Sequence, residues 1–66
     1  MTKIECCVKL VLLYRDNPSQ AFTSEELSQR YNVPKYSIVR YLHSLSRTGI
    51  LPLVYRGGRW TLLQAA

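Results

Sequence analysis

Sixty-six residues make one domain at most, near the lower size limit for a fold that carries no staple. A hydrophobic share of 47% argues for a packed core over a disordered tail, and no apolar run approaches the ~20 residues of a membrane span. The formal charge of +5 fits an anionic partner or solubility alone.

Its distribution is more informative. All four carboxylates (Glu5, Asp16, Glu25, Glu26) fall in residues 1–26, where three cations leave a net charge of −1. Residues 27–66 carry six cations (Arg30, Lys35, Arg40, Arg47, Arg56, Arg59) and no anion, so this part is polarised toward a polyanion. Glu5 and Lys9 interrupt the N-terminal apolar stretch and no small-residue cleavage site follows. The expected compartment is therefore the cytoplasm, with no membrane partner.

Residues 2–15 read as a helix. Thr2 and Glu5 form a capping box, and Ile4, Cys7, Val8, Val11 and Leu12 recur at helical spacing. Leu10, Leu13 and Tyr14 extend the apolar surface around most of the circumference, so the helix is either deeply buried or meets a partner on one side. Cys6 and Cys7 diverge by about 100° on such a helix and cannot share a metal. Their reading is a core residue with a flanking neighbour, the alternative being an intermolecular disulfide or thiol switch. With His43 the only histidine, neither a metal nor a cofactor is expected.

Asp16-Asn17-Pro18-Ser19 ends the first helix, and Ala21-Phe22 is a candidate short strand. Thr23 then caps a second helix, with Phe22 and Leu27 in the positions of a hydrophobic staple. That helix closes near Tyr31-Asn32. Asn32-Val33-Pro34 makes a tight connection, since Asn tolerates a left-handed backbone and Pro suits a first helical turn. The third helix runs from Pro34 to Thr48 and stops at Gly49. Two helices joined by three or four residues form a helix-turn-helix.

Residues 51–64 read as a hairpin turning at Gly57-Gly58, which pairs Arg56 with Arg59, Tyr55 with Trp60, Val54 with Thr61 and Leu53 with Leu62. Alternation puts Leu53, Tyr55, Trp60 and Leu62 on one apolar face and the two arginines on the other at the tip. Tyr55 and Trp60 are read as core packing, or as a stacking platform for single-stranded bases.

On a wheel of the third helix, Ile38, Leu42 and Leu45 cluster on one side. Tyr36, Arg40, His43 and Arg47 fall opposite, with Lys35 at the N-terminal end. A merely solvated helix face interleaves Glu and Asp with its cations; this helix contains neither. In the major groove Arg reads guanine edges while polar side chains hold phosphates. At the hairpin tip, Arg56 opposite Arg59 costs roughly 0.2–1 kcal/mol. A phosphate or a narrow minor groove would relieve that cost, as would two side chains splayed into water.

The order of elements predicts an α+β fold: a winged helix-turn-helix of three helices followed by a two-stranded β-hairpin wing, in a single domain over 1–66. The run Thr23 to Pro34, then Ile38, Leu42, Leu45 and Gly49-Ile50-Leu51, and finally Arg56-Gly57-Gly58-Arg59-Trp60-Thr61-Leu62, resembles the DNA-binding domain of Rrf2-type bacterial transcription regulators. The resemblance covers that domain without the family's dimerisation helix or cluster cysteines. It implies operator binding, with the third helix in the major groove and the wing on the backbone or minor groove. It places Lys35, Tyr36, Arg40, His43 and Arg47 in the reading helix and Arg56 and Arg59 in the wing.

The expected function is sequence-specific binding of double-stranded DNA by a small transcriptional regulator, with the recognition helix at 34–48 and the wing at 52–63. It would act as a homodimer or as several copies on adjacent sites. Alternatives are an excisionase-like recombination accessory of a phage or plasmid, a winged-helix protein-interaction module docking through its first helix, and a binder of single strands or RNA. No enzyme is expected: no serine has a positioned base, no carboxylates pair, and no glycine-rich phosphate loop precedes a helix.

Overall fold

In the computed structural model, which describes residues 2–63, three helices precede one antiparallel hairpin. These are α1 (Lys3–Asp16), α2 (Ser24–Tyr31), α3 (Lys35–Thr48), β1 (Leu53–Arg56) and β2 (Arg59–Leu62). The layout is α+β and winged-helix-like, as the periodicities predict. No helix among the described residues is long and apolar enough to cross a membrane.

Local chemistry accounts for most of the boundaries. Thr2 Oγ1 accepts the amide of Glu5 at 3.2 Å, and Thr23 Oγ1 accepts that of Glu26 at 3.1 Å, each satisfying an otherwise orphaned helix donor. Asn32 (φ 53°, ψ 47°) takes the left-handed conformation that closes α2, and Ser28 Oγ donates to the Val33 carbonyl across the turn. The third helix starts one residue later than the sequence implies. Pro34 is extended (φ −54°, ψ 143°) and stands as its cap, where its carbonyl receives the amides of Ser37 and Ile38. Gly57 and Gly58 both have positive φ, 60° and 79°, the conformation a two-residue hairpin turn needs. The pairing is the predicted one, from Arg56 opposite Arg59 to Leu53 opposite Leu62.

One core serves the described residues. Cys6, Leu10, Leu13 and Tyr14 from α1, Leu27 from α2, and Ile38, Leu42 and Leu45 from α3 meet Phe22, Val33, Leu51, Leu53 and Trp60. Phe22 and Leu27, the two staple positions, are both buried in it. The free thiols behave as expected of a core-and-flank pair: Cys6 is buried and Cys7 half-buried. Burial pushes both thiols above their usual range.

The short strand at Ala21-Phe22 is present as one antiparallel bridge from Phe22 to Trp60. Its two backbone bonds measure 3.0 and 2.7 Å. The Trp60 carbonyl also accepts the buried Tyr14 hydroxyl at 2.9 Å. That phenol is held well above its ordinary range, first by burial and then by the charge of Glu26.

Tyr14→Phe is expected to cost about 0.5–1.5 kcal/mol in urea unfolding, at the low end because Phe22 still satisfies the carbonyl. A raised folded-state value means that Tyr14 favours folding at neutral pH, where it is protonated in both states. That contribution falls away as pH rises through and above the unfolded phenol value near 10. Unfolding midpoints measured from pH 8 to 11 are expected to decline less steeply in the Phe variant. Parallel curves would assign the alkaline loss elsewhere.

Candidate nucleic-acid interface

The outward face of α3 is set by the core on its other side. Burial of Ile38, Leu42 and Leu45 turns Tyr36, Arg40, His43 and Arg47 to solvent, and all four are exposed. Arg40, His43 and Arg47 line one shallow hollow together with Ser44 and Thr48. A second hollow lies between α3 and the hairpin, lined by Ser24, Lys35, Val39, His43, Tyr55 and Trp60. A third reaches toward the wing tip, where Lys35 and Tyr55 meet Thr23, Ser24, Glu25 and Gly58. Since the first two share His43 and the last two share Lys35 and Tyr55, a continuous track runs from Arg47 to the turn at Gly58.

Of the seven residues predicted to form the site, Lys35, Arg40, His43 and Arg47 line this track. Tyr36 is exposed on the same face of α3 beyond it. Arg56 and Arg59 sit opposite each other at the start of the turn and line none of the three hollows. His43 does more than face outward: its ring stands edge-on to that of Trp60, centroids 5.0 Å apart. Trp60 is a core residue, 5% exposed. Tyr55 departs from the predicted apolar face. It is 60% exposed and leans on the indole at 5.0 Å, because the helical body covers Trp60 and leaves Tyr55 at the rim.

Electrostatics correct the sequence reading at two points. The anion-free character of residues 27–66 does not survive folding, because the first turn of α2 brings Glu25 to the track and Glu26 to the wing. Glu25 lies 3.4 Å from Lys35, and Glu26 lies 3.7 Å from Arg59. The clash of Arg56 with Arg59 is therefore partly relieved from within the chain, and an outside anion is not required for it. Both pairs are at least half exposed, so each stabilises by at most about 1 kcal/mol. Arg40 and Arg47 are left as the exposed cations of the α3 face, without a carboxylate partner in either ion pair.

Comparison with models of protein families, with curated proteins and with solved structures finds no match.

Ser24, Ser44 and Thr48 join the track without having been singled out in the sequence as site residues, and Tyr55, read there as core packing or a stacking platform, lines it as well. Ser44 and Thr48 extend the helical stripe at i+4 from Arg40 and Ser44, a spacing that was available. Ser24 and Tyr55 arrive by tertiary packing. No group of three or more His, Cys, Asp or Glu that could hold a metal occurs among the described residues.

The two carboxylates should restrain the site's attraction for any polyanion. Glu25→Gln and Glu26→Gln are each expected to elute from immobilised heparin at higher salt than the parent chain, with little change in thermal stability. Unchanged elution of both would show that Lys35 and Arg59 are not held by them.

Proposed function

We propose that this chain binds double-stranded DNA in a sequence-specific manner, in the cytoplasm, as a small transcriptional regulator without catalytic activity. The supporting observation is the hollow along α3 in which Arg40, His43 and Arg47 stand side by side, with no carboxylate on that helix. A helix of this size fits the major groove, where arginine donates two hydrogen bonds to a guanine edge. On this reading Arg40 and His43, at the middle of α3, reach base edges, while Lys35, Tyr36 and Arg47 hold phosphates on either side. The wing then follows the backbone or the minor groove, and its arginines add charge without reading sequence. The order of three helices and a hairpin suits the layout of an Rrf2-type DNA-binding domain, a kinship we propose on the residues quoted above.

Lys35 and Arg59 would exchange their carboxylates for phosphates on binding. Each exchange releases a glutamate to water at small cost, since both pairs are surface pairs. The counterions displaced from the duplex supply the drive.

The test is a titration of labelled duplex, read by anisotropy across a salt series, with a cognate site selected from bound genomic fragments. The logarithm of affinity for random duplex is expected to fall linearly with the logarithm of salt, at about −0.9 per phosphate neutralised. Arg40→Ala is expected to cost about 1–3 kcal/mol on the cognate site and much less on random DNA, whereas Arg59→Ala weakens both about equally. Absence of duplex binding at low salt overturns the proposal. Equal losses for the two variants on both DNAs would remove α3 as the reader.

A further inference from the structure

The hollow between α3 and the hairpin and the one that reaches the wing tip share Ser24, Lys35 and Tyr55, so they are two ends of one cleft. Their chemistry differs. The end against α3 is walled by rings: Tyr55 on the hairpin side and His43 on the α3 side, each centred 5.0 Å from the indole of Trp60. Tyr55 is 60% exposed, and its open ring is a surface on which a flat ligand can stack. The space here is about 250 Å³. That is below the roughly 300–1,000 Å³ of sites for drug-sized ligands, and it suits a single planar ring system.

The other end, about 290 Å³, is lined by Thr23, Ser24 and Glu25 at the start of α2, with Lys35 beside them. Thr23 receives the amides of Glu26 and Leu27. The amides of Ser24 and Glu25 are left without an acceptor among the described residues. A helix start alone says little about ligands, but two side chains along this cleft also keep a donor with nothing to receive it. Ser24 is only 7% exposed and lines both ends, yet its hydroxyl makes no hydrogen bond with the described residues. The indole N–H of Trp60 is buried without a partner as well. Buried donors are nearly always paired.

We infer that this cleft binds one unstacked nucleotide, with its base between Tyr55 and His43 and its phosphate at the start of α2. A nucleobase offers flat faces to the two rings, and its ring nitrogens and carbonyl oxygens are the acceptors that Ser24 and Trp60 lack. The phosphate meets two free amides, the positive end of a helix dipole and the ammonium of Lys35. Among the lining residues only Glu25 opposes it. That carboxylate is 73% exposed in its pair with Lys35 and turns to water at small cost. A stacked and paired base cannot enter, so the ligand is a free nucleoside monophosphate or an unpaired residue of a strand. The site does not rest on the duplex reading of α3.

Titration of the full chain with adenosine monophosphate, without duplex and followed by amide proton–nitrogen correlation spectra, tests this. The indole N–H of the only tryptophan reports the base end, and the amides of Ser24 and Glu25 report the phosphate end. All three signals are expected to shift together and to saturate with a Kd of about 1 mM or tighter. Inorganic phosphate and adenosine, each half of the ligand, are expected to bind at least about tenfold more weakly. Tyr55→Ala is expected to weaken binding about tenfold and Lys35→Gln about threefold, both exposed positions whose variants keep a dispersed spectrum. A single-stranded oligonucleotide that moves the same signals at least about tenfold more tightly than the mononucleotide identifies a strand as the source. Weaker or equal binding identifies the free nucleotide. The inference is overturned if the three signals stay still up to about 10 mM nucleotide, if inorganic phosphate matches the nucleotide, or if Tyr55→Ala leaves the titration unchanged. Loss of duplex binding in the salt series would leave this result standing, and the converse holds too.

Discussion

Trp60 holds the hairpin to the helices through its backbone as much as through its ring. Its amide donates to the carbonyl of Phe22, and its own carbonyl accepts both the Phe22 amide and the Tyr14 hydroxyl. A two-stranded hairpin on its own is marginal in water. Here β2 gains a third, one-bridge neighbour in Phe22 and a bond from the buried end of α1. The loop from Asn17 to Thr23 ends at that same anchor, so one residue ties the first helix, the connecting loop and the wing together. Whatever angle the wing makes with α3 is fixed at this point, and so is the width of the track between them.

The surface built on this frame is balanced rather than uniformly basic. Glu25 and Glu26 serve twice: as acidic residues in the first turn of α2, where they complement the helix dipole, and as partners of Lys35 and Arg59. The outer face of α3 has no such restraint built into the helix. A duplex approaching this molecule would meet unrestrained arginines at the centre and restrained cations toward the edge. That gradient favours contacts made by the helix over indiscriminate attraction to the periphery.

What was legible in the sequence was local. Thr2, Thr23, Asn32 and the Gly57-Gly58 pair each announce a boundary by chemistry confined to a few neighbours. The 3.6-residue rhythm of Ile38, Leu42 and Leu45 is enough to fix which side of α3 faces water. The hairpin register follows from the turn because a two-residue loop leaves no freedom in pairing. The positions that resisted reading depend on approach between distant segments: Glu26 to Arg59, Tyr14 to Trp60, and the unequal fates of Tyr55 and Trp60 across one pair of strands. Strand alternation assigns a face but says nothing of how far the helical body extends beneath it, which is why Tyr55 ends at the rim.

The contact between His43 and Trp60 joins the outward face of α3 to the residue on which the wing is hung. Anything that pushes the imidazole aside alters the surroundings of the chain's one tryptophan, and Tyr55 from β1 touches the same ring. The indole is thus a native optical gauge, sensitive to both walls of the track. Its emission colour and lifetime would register occupancy of the cleft without any label attached to protein or ligand.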